Sequence, residues 1–201
     1  MTGLEPTPYT GVENLEVMRE AVNYNRYLQS LVERHAAGAK RVIDFGAGSG
    51  TFAIPCAAAG FALTAVEPDE QLRALLAAAG VDAVADVAAL ANEAFHYAYT
   101  LNVLEHIEDD VEALRVLRAK LVLRGSLEAA GFEVLELRYA DSLGFAATLL
   151  FKAIDNGRGD VNRSLLRLYD RLAFPVSRAL DALTHRWFGK NLLALAAKPA
   201  A

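Results

Sequence analysis

The chain has 201 residues, of which 54% are hydrophobic and 22% are charged, and its formal net charge is −5. This length suits one domain with a complete hydrophobic core, and the acidic balance argues against nucleic acid as a main partner. A single cysteine, Cys56, excludes both an intramolecular disulfide and a cysteine-based metal cluster.

The predicted elements alternate between helices and short strands through the first 120 residues. Apolar spacing predicts a helix over 13–34 and strands over 41–45, 61–66, 81–85 and 96–101. Further helices are predicted over 51–59, 70–79 and 111–120. This alternation predicts an α/β fold, a Rossmann-like, doubly wound and mostly parallel sheet with helices on both faces.

Helical additions are predicted at both ends of this sheet. The N-terminal addition is the helix over 13–34. In the last third, strands are expected over 132–138 and 191–196, with amphipathic helices over 141–155 and 165–183 and a break at Pro175.

The most distinctive stretch joins the first predicted strand to the next helix. Asp44 closes the strand, and glycines follow at positions 46, 48 and 50. Glycine permits a sharp turn there and lets a ligand approach main-chain atoms closely. A dinucleotide-binding loop would place its third glycine at position 51, where Thr51 stands, and this disfavours a nicotinamide-dependent enzyme.

This order, an acid followed by Gly-x-Gly-x-Gly, resembles motif I of the class I S-adenosylmethionine (SAM)-dependent methyltransferases. The resemblance covers residues 40–120, and residues 102–107 are similar to the small-molecule, type 11/12-like branch of that family. It implies SAM as the cofactor and S-adenosylhomocysteine as the product. The implied reaction is methyl transfer to a small-molecule or lipid-like acceptor.

The resemblance also implies which residues bind the cofactor. The methionine part would be held by Asp44 and by the loop residues Gly46, Ala47, Gly48 and Gly50. Glu67, followed by Pro68, matches the ribose-binding acid, since one carboxylate can accept hydrogen bonds from two vicinal hydroxyls.

The ends of the third and fourth strands complete the implied cofactor site. Asp86 matches the residue that faces the adenine amino group, with Val87 beside the ring, although Asp82 is a nearby alternative if the strand ends earlier. Asn102 and Val103 follow the fourth strand at the same edge of the sheet.

Catalysis of methyl transfer rests mainly on positioning, because the reaction is an in-line displacement at a sulfonium methyl group. A base is required only if the acceptor loses a proton. His106 is the first candidate for that base and Glu105 the second, and the alternative role of both is to cap and pack the following helix. No set of His, Asp and Glu has metal-ligand spacing, so no metal is predicted.

Large aromatic and aliphatic side chains in both helical additions allow two interpretations. Tyr9, Tyr24 and Tyr27 either cover the site as a lid or pack the N-terminal helix, and we favour packing. The C-terminal set either packs in the core and lid, which we favour, or forms an apolar acceptor pocket. It consists of Phe145, Leu149, Phe151, Leu165, Leu168, Phe174, Trp187 and Phe188.

The stretch after residue 120 is shorter than the resemblance implies. Too few residues separate Lys120 from Gly131 for a fifth strand and its return helix. We therefore expect a segment to be absent near residues 119–123, either missing from the sequence as written, which we favour, or deleted in the protein. An intact mass well above 21.7 kDa would show the former. A mass at that value would show the latter.

The sequence as a whole predicts one methyltransferase domain. Residues 1–38 would form a helical lid, 39–122 the SAM-binding core and 123–201 the substrate or lid part. Residues 1–20 are polar and no apolar run is long enough to cross a bilayer, which predicts a cytoplasmic protein without a transmembrane segment. The apolar C-terminal helices allow a peripheral apolar contact, and the oligomeric state is left open. The alternative is a non-catalytic methyltransferase-fold partner or scaffold module, which the shortened middle favours.

Overall fold

The computed structural model describes residues 17–121, 133–144, 147 and 163–197. These residues form two compact units. The first contains residues 17–18 and 29–121 of the described part, and the second contains residues 19–28 together with everything from 133 onward. The boundary between the units falls inside the first helix, α1 (Val22–His35), after Leu28.

The first unit is built on a parallel four-stranded sheet. Its strands are β1 (Val42–Phe45), β2 (Leu63–Val66), β3 (Asp82–Val84) and β4 (Tyr97–Tyr99), in the order β3-β2-β1-β4. The order reverses beside β1, since β2 follows it on one side and β4 lies on the other. In parallel sheets such a reversal opens a crevice at the carboxyl ends of the strands. The predicted Rossmann-like fold is confirmed.

Helices connect these strands. They are α2 (Ala53–Ala58), α3 (Glu70–Ala78) and α4 (Asp110–Lys120), with short 3-10 turns at Val87–Ala89 and Leu104–His106. Asp69 caps α3, because its side chain accepts hydrogen bonds from the N–H groups of residues 71 and 72. Asp109 caps α4 in the same way.

Two hydrophobic clusters cover the sheet, because successive residues of a buried strand point to opposite faces. Val42 belongs to one cluster, where it shares the interior with Cys56 and Leu76. Ile43 belongs to the other cluster, which contains Leu117 of α4. All four residues of β1 are buried, so this strand is the centre of the unit.

The second unit pairs a sheet with a long helical run. Strands β5 (Glu133–Ala140) and β6 (Asn191–Ala197) are antiparallel. Between them along the chain lie α5 (Arg163–Leu168), a π-helical turn (Tyr169–Ala173) and α6 (Phe174–Thr184).

The expected break at Pro175 is wrong, because the helical run continues through it. Pro175 is the second residue of α6 and directly follows the π-helical turn, in which the N–H of Phe174 donates to the carbonyl of Tyr169, five residues earlier. The π-helical turn directly before it adds one residue to the turn, a local widening that a helix tolerates over a single turn.

The first half of α1 is fixed within the second unit by Asp170. The Asp170 carboxylate accepts hydrogen bonds from the N–H groups of Asn23 and Tyr24, both at 2.8 Å, and so satisfies donors that a helix start leaves unpaired. The rings of Tyr24 and Tyr27 lie 5.5 and 6.0 Å from that of Phe174. Both tyrosines therefore pack the helix, as favoured above, and Tyr9 lies outside the described residues.

The predicted packing of the C-terminal apolar side chains is only partly correct. Phe174 is buried, but the side chains of Leu165, Leu168, Trp187 and Phe188 are exposed. The inner face of the helical run is occupied instead by Phe174, Ser177 and the capping Asp170. The remaining three, Phe145, Leu149 and Phe151, lie outside the described residues, as do residues 122 and 123 of the region 119–123, near which we expect a segment to be absent.

None of the helices in the described part of the chain combines the length and the apolar character that crossing a bilayer requires.

Candidate active site

The glycine-rich loop after β1 lies at the carboxyl edge of the sheet. Gly46, Gly48 and Gly50 have φ angles of +84°, +55° and +84°, in the region that side chains disfavour. The N–H groups of Gly46 and Ala47 donate to the carbonyl of Val66 at 2.9 and 3.1 Å. The loop is thereby held against the end of β2.

Glu67 joins three strand ends at this edge. Its side chain is buried, and its Oε2 accepts a hydrogen bond from the N–H of Gly48 at 2.8 Å. Its Oε1 accepts from the N–H of Asp69 at 2.9 Å, and its own N–H donates to the carbonyl of Val84 in β3. Each carboxylate oxygen has a second lone pair, so Glu67 can accept further hydrogen bonds from a ligand.

The segment after β4 reaches the same loop. A Cβ placed on Gly46 would lie 2.4 Å from Cγ2 of Val103, so only a glycine fits beside this valine. Asn102 has a φ of +57°, a left-handed conformation that asparagine tolerates better than most residues. The structure therefore brings the ends of β1, β2 and β4 together around the loop.

Asp44 is the most deeply buried acid of the site, with 3% of its surface exposed. Its Oδ2 accepts a hydrogen bond from the hydroxyl of Tyr99 at 2.9 Å. Burial raises the pKa of the Asp44 carboxyl to about 7, the charge of Glu67 adds to the rise, and the Tyr99 hydrogen bond opposes it. An approaching cation would favour the ionised carboxylate.

Tyr99 is a site residue that the sequence alone did not reveal. It pairs with Asp44 in the register between β1 and β4, and its ring belongs to the cluster on that face. Burial raises the pKa of its hydroxyl, which therefore stays protonated and remains a donor to Asp44. Tyrosine is common in strands, so only the register of the two strands identifies this role.

Asp86 and Val87 lie beyond the end of β3. Asp86 is exposed, and its Oδ1 accepts a hydrogen bond from the N–H of Ala88 at 2.8 Å, so it caps the 3-10 turn that follows. Val87 is buried in the cluster that contains Ile43. Asp82 is the first residue of β3 and lies at the opposite end of that strand from the glycine loop.

Glu105 and His106 lie in the 3-10 turn that follows Val103. Both side chains are exposed. Neither side chain takes part in the hydrogen bonds that join the strand ends within the described residues. The backbone N–H of His106 donates to the carbonyl of Val103 at 2.9 Å and closes the turn.

Two observations show what ligand this edge would accept. The Oγ atom of Ser49 is buried in the glycine loop and has no hydrogen-bond partner among the described residues. Asp44 and Glu67 are both buried acids, and within the described part no ion pair neutralises either of them. A ligand with a positive charge and a group that hydrogen-bonds to Ser49 would satisfy both. In the same residues, no group of His, Cys, Asp and Glu is arranged to hold a metal ion.

The parallel sheet, the glycine loop and the buried acid at the end of β2 define a Rossmann-like protein, a fold that binds its ligands at the carboxyl edge of the sheet. A family model described as a methyltransferase domain matches residues 18–128, more than half of the chain. The chain belongs to this methyltransferase family, of the class I, SAM-dependent type. No curated protein matches the sequence.

Solved structures with TM-scores above 0.5 share the fold. A SAM-dependent methyltransferase of Thermotoga maritima, described as a "possible histamine N-methyltransferase", is 18% identical over 79% of this chain and 75% of its own, with a TM-score of 0.53. The [4+2]-cyclase SpnF is 20% identical over 88% and 82%, with a TM-score of 0.54. A SAM-dependent methyltransferase of Mesorhizobium loti is 25% identical, but the match spans only 41% of this chain and 42% of that one, with a TM-score of 0.38.

The cofactor is SAM, and the residues at the carboxyl edge fit it. Its sulfonium and ammonium groups would supply the positive charge that no ion pair of the described residues brings to Asp44 and Glu67. Its carboxylate can accept a hydrogen bond from the Ser49 hydroxyl.

Proposed function

We propose that this chain transfers a methyl group from SAM to a small-molecule or lipid-like acceptor. The observation that carries the proposal is the hydrogen bond from Gly48 N–H to Glu67 Oε2, which ties the glycine loop to a buried acid at the next strand end. SAM supplies an electrophilic methyl carbon when bound. The protein contributes by holding donor and acceptor in line and by excluding water.

Each residue of the edge then has a proposed role. Asp44 and the glycine loop hold the methionine part, and Glu67, with Pro68 beside it, accepts hydrogen bonds from the ribose hydroxyls. The remaining residues are assigned to the adenine part of SAM. Asp86 faces the adenine amino group, Val87 lies against the ring, and Asn102 and Val103 contribute from the end of β4. The burial of Val87 leaves only part of its surface for such a contact.

A general base is needed only for an acceptor that loses a proton. We keep His106 as the first candidate and Glu105 as the second, because their exposure leaves both free to meet an acceptor that enters from solvent. With such an acceptor, His106→Gln is expected to lower kcat and to leave the affinity for S-adenosylhomocysteine unchanged. An equal loss of that affinity would instead place His106 in the cofactor site.

Replacing Glu67 by alanine is expected to weaken SAM binding by about 1–3 kcal/mol, because the ribose loses its acceptor and the N–H of Gly48 loses its partner. Calorimetric titration measures this change. The matched control is Glu70→Ala, an exposed acid three residues further on in the first turn of α3. An unchanged dissociation constant for the Glu67 variant would reject the ribose assignment.

The experiment that tests the proposed function is a calorimetric titration of the purified chain with S-adenosylhomocysteine, followed by methyl transfer from radiolabelled SAM. Micromolar binding and transfer to one member of a panel of hydrophobic small molecules are expected. A folded sample that binds no S-adenosylhomocysteine would contradict the proposal.

The second candidate is a non-catalytic methyltransferase-fold partner or scaffold module. The small number of residues between α4 and β5 favours this candidate, because it leaves little chain for a fifth strand. In the described part, the residues after α4 form a single parallel β-bridge, between Leu121 and Phe95. The fold is also compatible with other chemistry, as the [4+2]-cyclase shows. Binding of S-adenosylhomocysteine without transfer to any acceptor would favour this candidate.

Three further expectations belong to the same proposal. The chain would act in the cytoplasm. It would belong to the small-molecule, type 11/12-like branch of the family. Residues 39–122 would form the SAM-binding core, with 1–38 as a lid and 123–201 as the substrate part.

A further inference from the structure

An exposed apolar stripe runs along the helical segment of the second unit. Its members recur every three or four residues, the spacing that places side chains on one side of a helix. We call the following six residues the apolar stripe: Leu168, Leu172, Val176, Leu180, Leu183 and Trp187. Leu183 and Trp187 are 72% and 73% exposed, values that are high for such large apolar side chains.

A row of arginines runs beside the stripe. Its first four members are separated by four, four and seven residues, close to whole helical turns, and the fifth lies in the turn after the end of α6. We call this set the basic ridge: Arg163, Arg167, Arg171, Arg178 and Arg186. All five are exposed. The first two share the carboxylate of Glu20, at 3.3 and 2.7 Å, and Arg178 lies over the ring of Tyr27.

The ridge makes this segment opposite in charge to the rest of the protein. Residues 163–190 contain six basic and two acidic residues, a net charge of +4, whereas the whole chain carries −5. Both acids are used inside the unit. Asp170 caps α1, and Asp181 accepts hydrogen bonds from the N–H groups of Asp141 and Ser142.

From this combination we propose that the apolar stripe and the basic ridge dock the protein on an anionic lipid surface. A helix with Leu and Trp on one face and arginines beside them lies in the plane of a bilayer interface. From Leu168 to Leu183 the stripe follows 16 residues of the helical run, roughly 24 Å at 1.5 Å per residue, and Trp187 lies in the turn after the end of α6. Trp187, next to Arg186, occupies the apolar–polar boundary that tryptophan prefers.

Charge distinguishes this surface from a contact between two copies. A dimer formed through the stripe would bring Arg171, Arg178 and Arg186 of two copies toward each other, since Glu20 is paired with Arg163 and Arg167. Anionic headgroups neutralise the ridge while the acyl region covers the stripe. The proposal rests on the second unit alone and does not depend on methyl transfer.

The test uses the full chain with two kinds of vesicles, phosphatidylcholine alone and phosphatidylcholine mixed with phosphatidylglycerol. Trp187 is the only tryptophan of the chain, so its fluorescence reports directly on the stripe. With the anionic vesicles we expect its emission to shift to shorter wavelength and the protein to co-sediment. Both effects are expected to decrease as salt is added.

Three variants separate the contributions. The double change Leu172→Gln with Leu183→Gln removes apolar contact and is expected to lower the partition coefficient at least tenfold. Arg171→Gln is expected to lower it about fivefold, since one basic residue near an anionic surface contributes about 1 kcal/mol. Leu75→Gln changes an exposed leucine on α3, outside the stripe, and as the control it leaves the partition coefficient unchanged.

Three results would overturn the proposal. The first is no change in Trp187 emission with either kind of vesicle. The second is equal partitioning into phosphatidylcholine vesicles, because the ridge would then contribute nothing. The third is self-association in sedimentation velocity that Leu172→Gln with Leu183→Gln abolishes, which would assign the stripe to a second copy. Circular dichroism of each variant shows that the fold is retained.

Discussion

Replacing Asp44 by asparagine is expected to stabilise the cofactor-free protein at pH 8 and, at the same time, to weaken its binding of SAM. The buried Asp44 carboxyl holds its proton until about pH 7, whereas the same group in the unfolded chain ionises near pH 4. Folding therefore becomes less favourable as the pH rises through this interval, and the full cost of burying the charge applies above it. Asparagine is neutral throughout and keeps an oxygen that can accept from the Tyr99 hydroxyl.

The gain in stability should therefore depend on pH. It is close to zero at pH 4 and reaches at most about 4 kcal/mol at pH 8, at 1.36 kcal/mol for each pH unit between the two pKa values. Thermal melting at the two pH values measures it, with a rise of about 2–4 °C in Tm per kcal/mol. The control, Asp82→Asn, changes an exposed acid in β3 and should leave Tm unchanged. An equal shift at both pH values would contradict the assignment of the effect to the buried charge.

The same substitution should weaken SAM binding by about 1.5–3 kcal/mol, because a hydrogen bond or contact to a charged group is lost. In the unsubstituted protein, the positive charge of SAM should favour ionised Asp44 and release its proton on binding near pH 6. Titrations in buffers with different ionisation enthalpies detect that proton. Its absence would show that Asp44 does not face the charged part of the cofactor.

The strands and helices of the first unit could be predicted because their limits are set locally. The predicted strand over 41–45 is observed as Val42–Phe45, and the predicted helix over 70–79 as Glu70–Ala78. Asp69 caps that helix, and Gly80, with a φ of +78°, follows its end. Capping side chains and left-handed glycines act over a few residues, so the sequence shows them directly.

The positions of the site residues follow from the parallel order of the strands. Because all four strands run in one direction, Asp44, Glu67 and Val103 had to meet at one edge once the strands were placed. Their individual contacts could not be predicted. The hydrogen bond from Tyr99 to Asp44 depends on the register between β1 and β4, and the orphaned hydroxyl of Ser49 depends on how the loop closes.

The second unit was predicted less well, because its helices expose apolar side chains that a sequence pattern assigns to a core. Apolar residues at intervals of three and four indicate that one side of a helix is covered, but they do not say by what. In α6 the covered side carries Phe174 and Ser177, while the side chains of Leu183 and of Trp187, just after the helix, are exposed. The continuation of the helix through Pro175 likewise depends on the π-helical turn, which has no sequence signature.

Replacing Gly46 by alanine is expected to damage both the fold and the cofactor site. The new Cβ would lie 2.4 and 2.7 Å from the two methyl carbons of Val103, and the backbone would keep an unfavourable φ of +84°. Left-handed strain costs about 1–2 kcal/mol and overpacking about 1–3 kcal/mol, so a loss of about 2–5 kcal/mol in the free energy of unfolding is expected. Binding of S-adenosylhomocysteine should fall at least tenfold, since the loop moves away from the end of β4.

Gly80→Ala is the matched control for this substitution. Gly80 has a similar φ of +78°, but a Cβ there meets nothing within 4 Å, so only the strain of about 1–2 kcal/mol remains and the binding constant stays unchanged. Denaturant unfolding and calorimetric titration measure both quantities. Adding Val103→Ala to Gly46→Ala removes the colliding methyl groups, and it should recover part of the lost stability although it deletes apolar contacts. If the double variant were no more stable than Gly46→Ala, the close approach of the loop to Val103 would not be what requires glycine at this position.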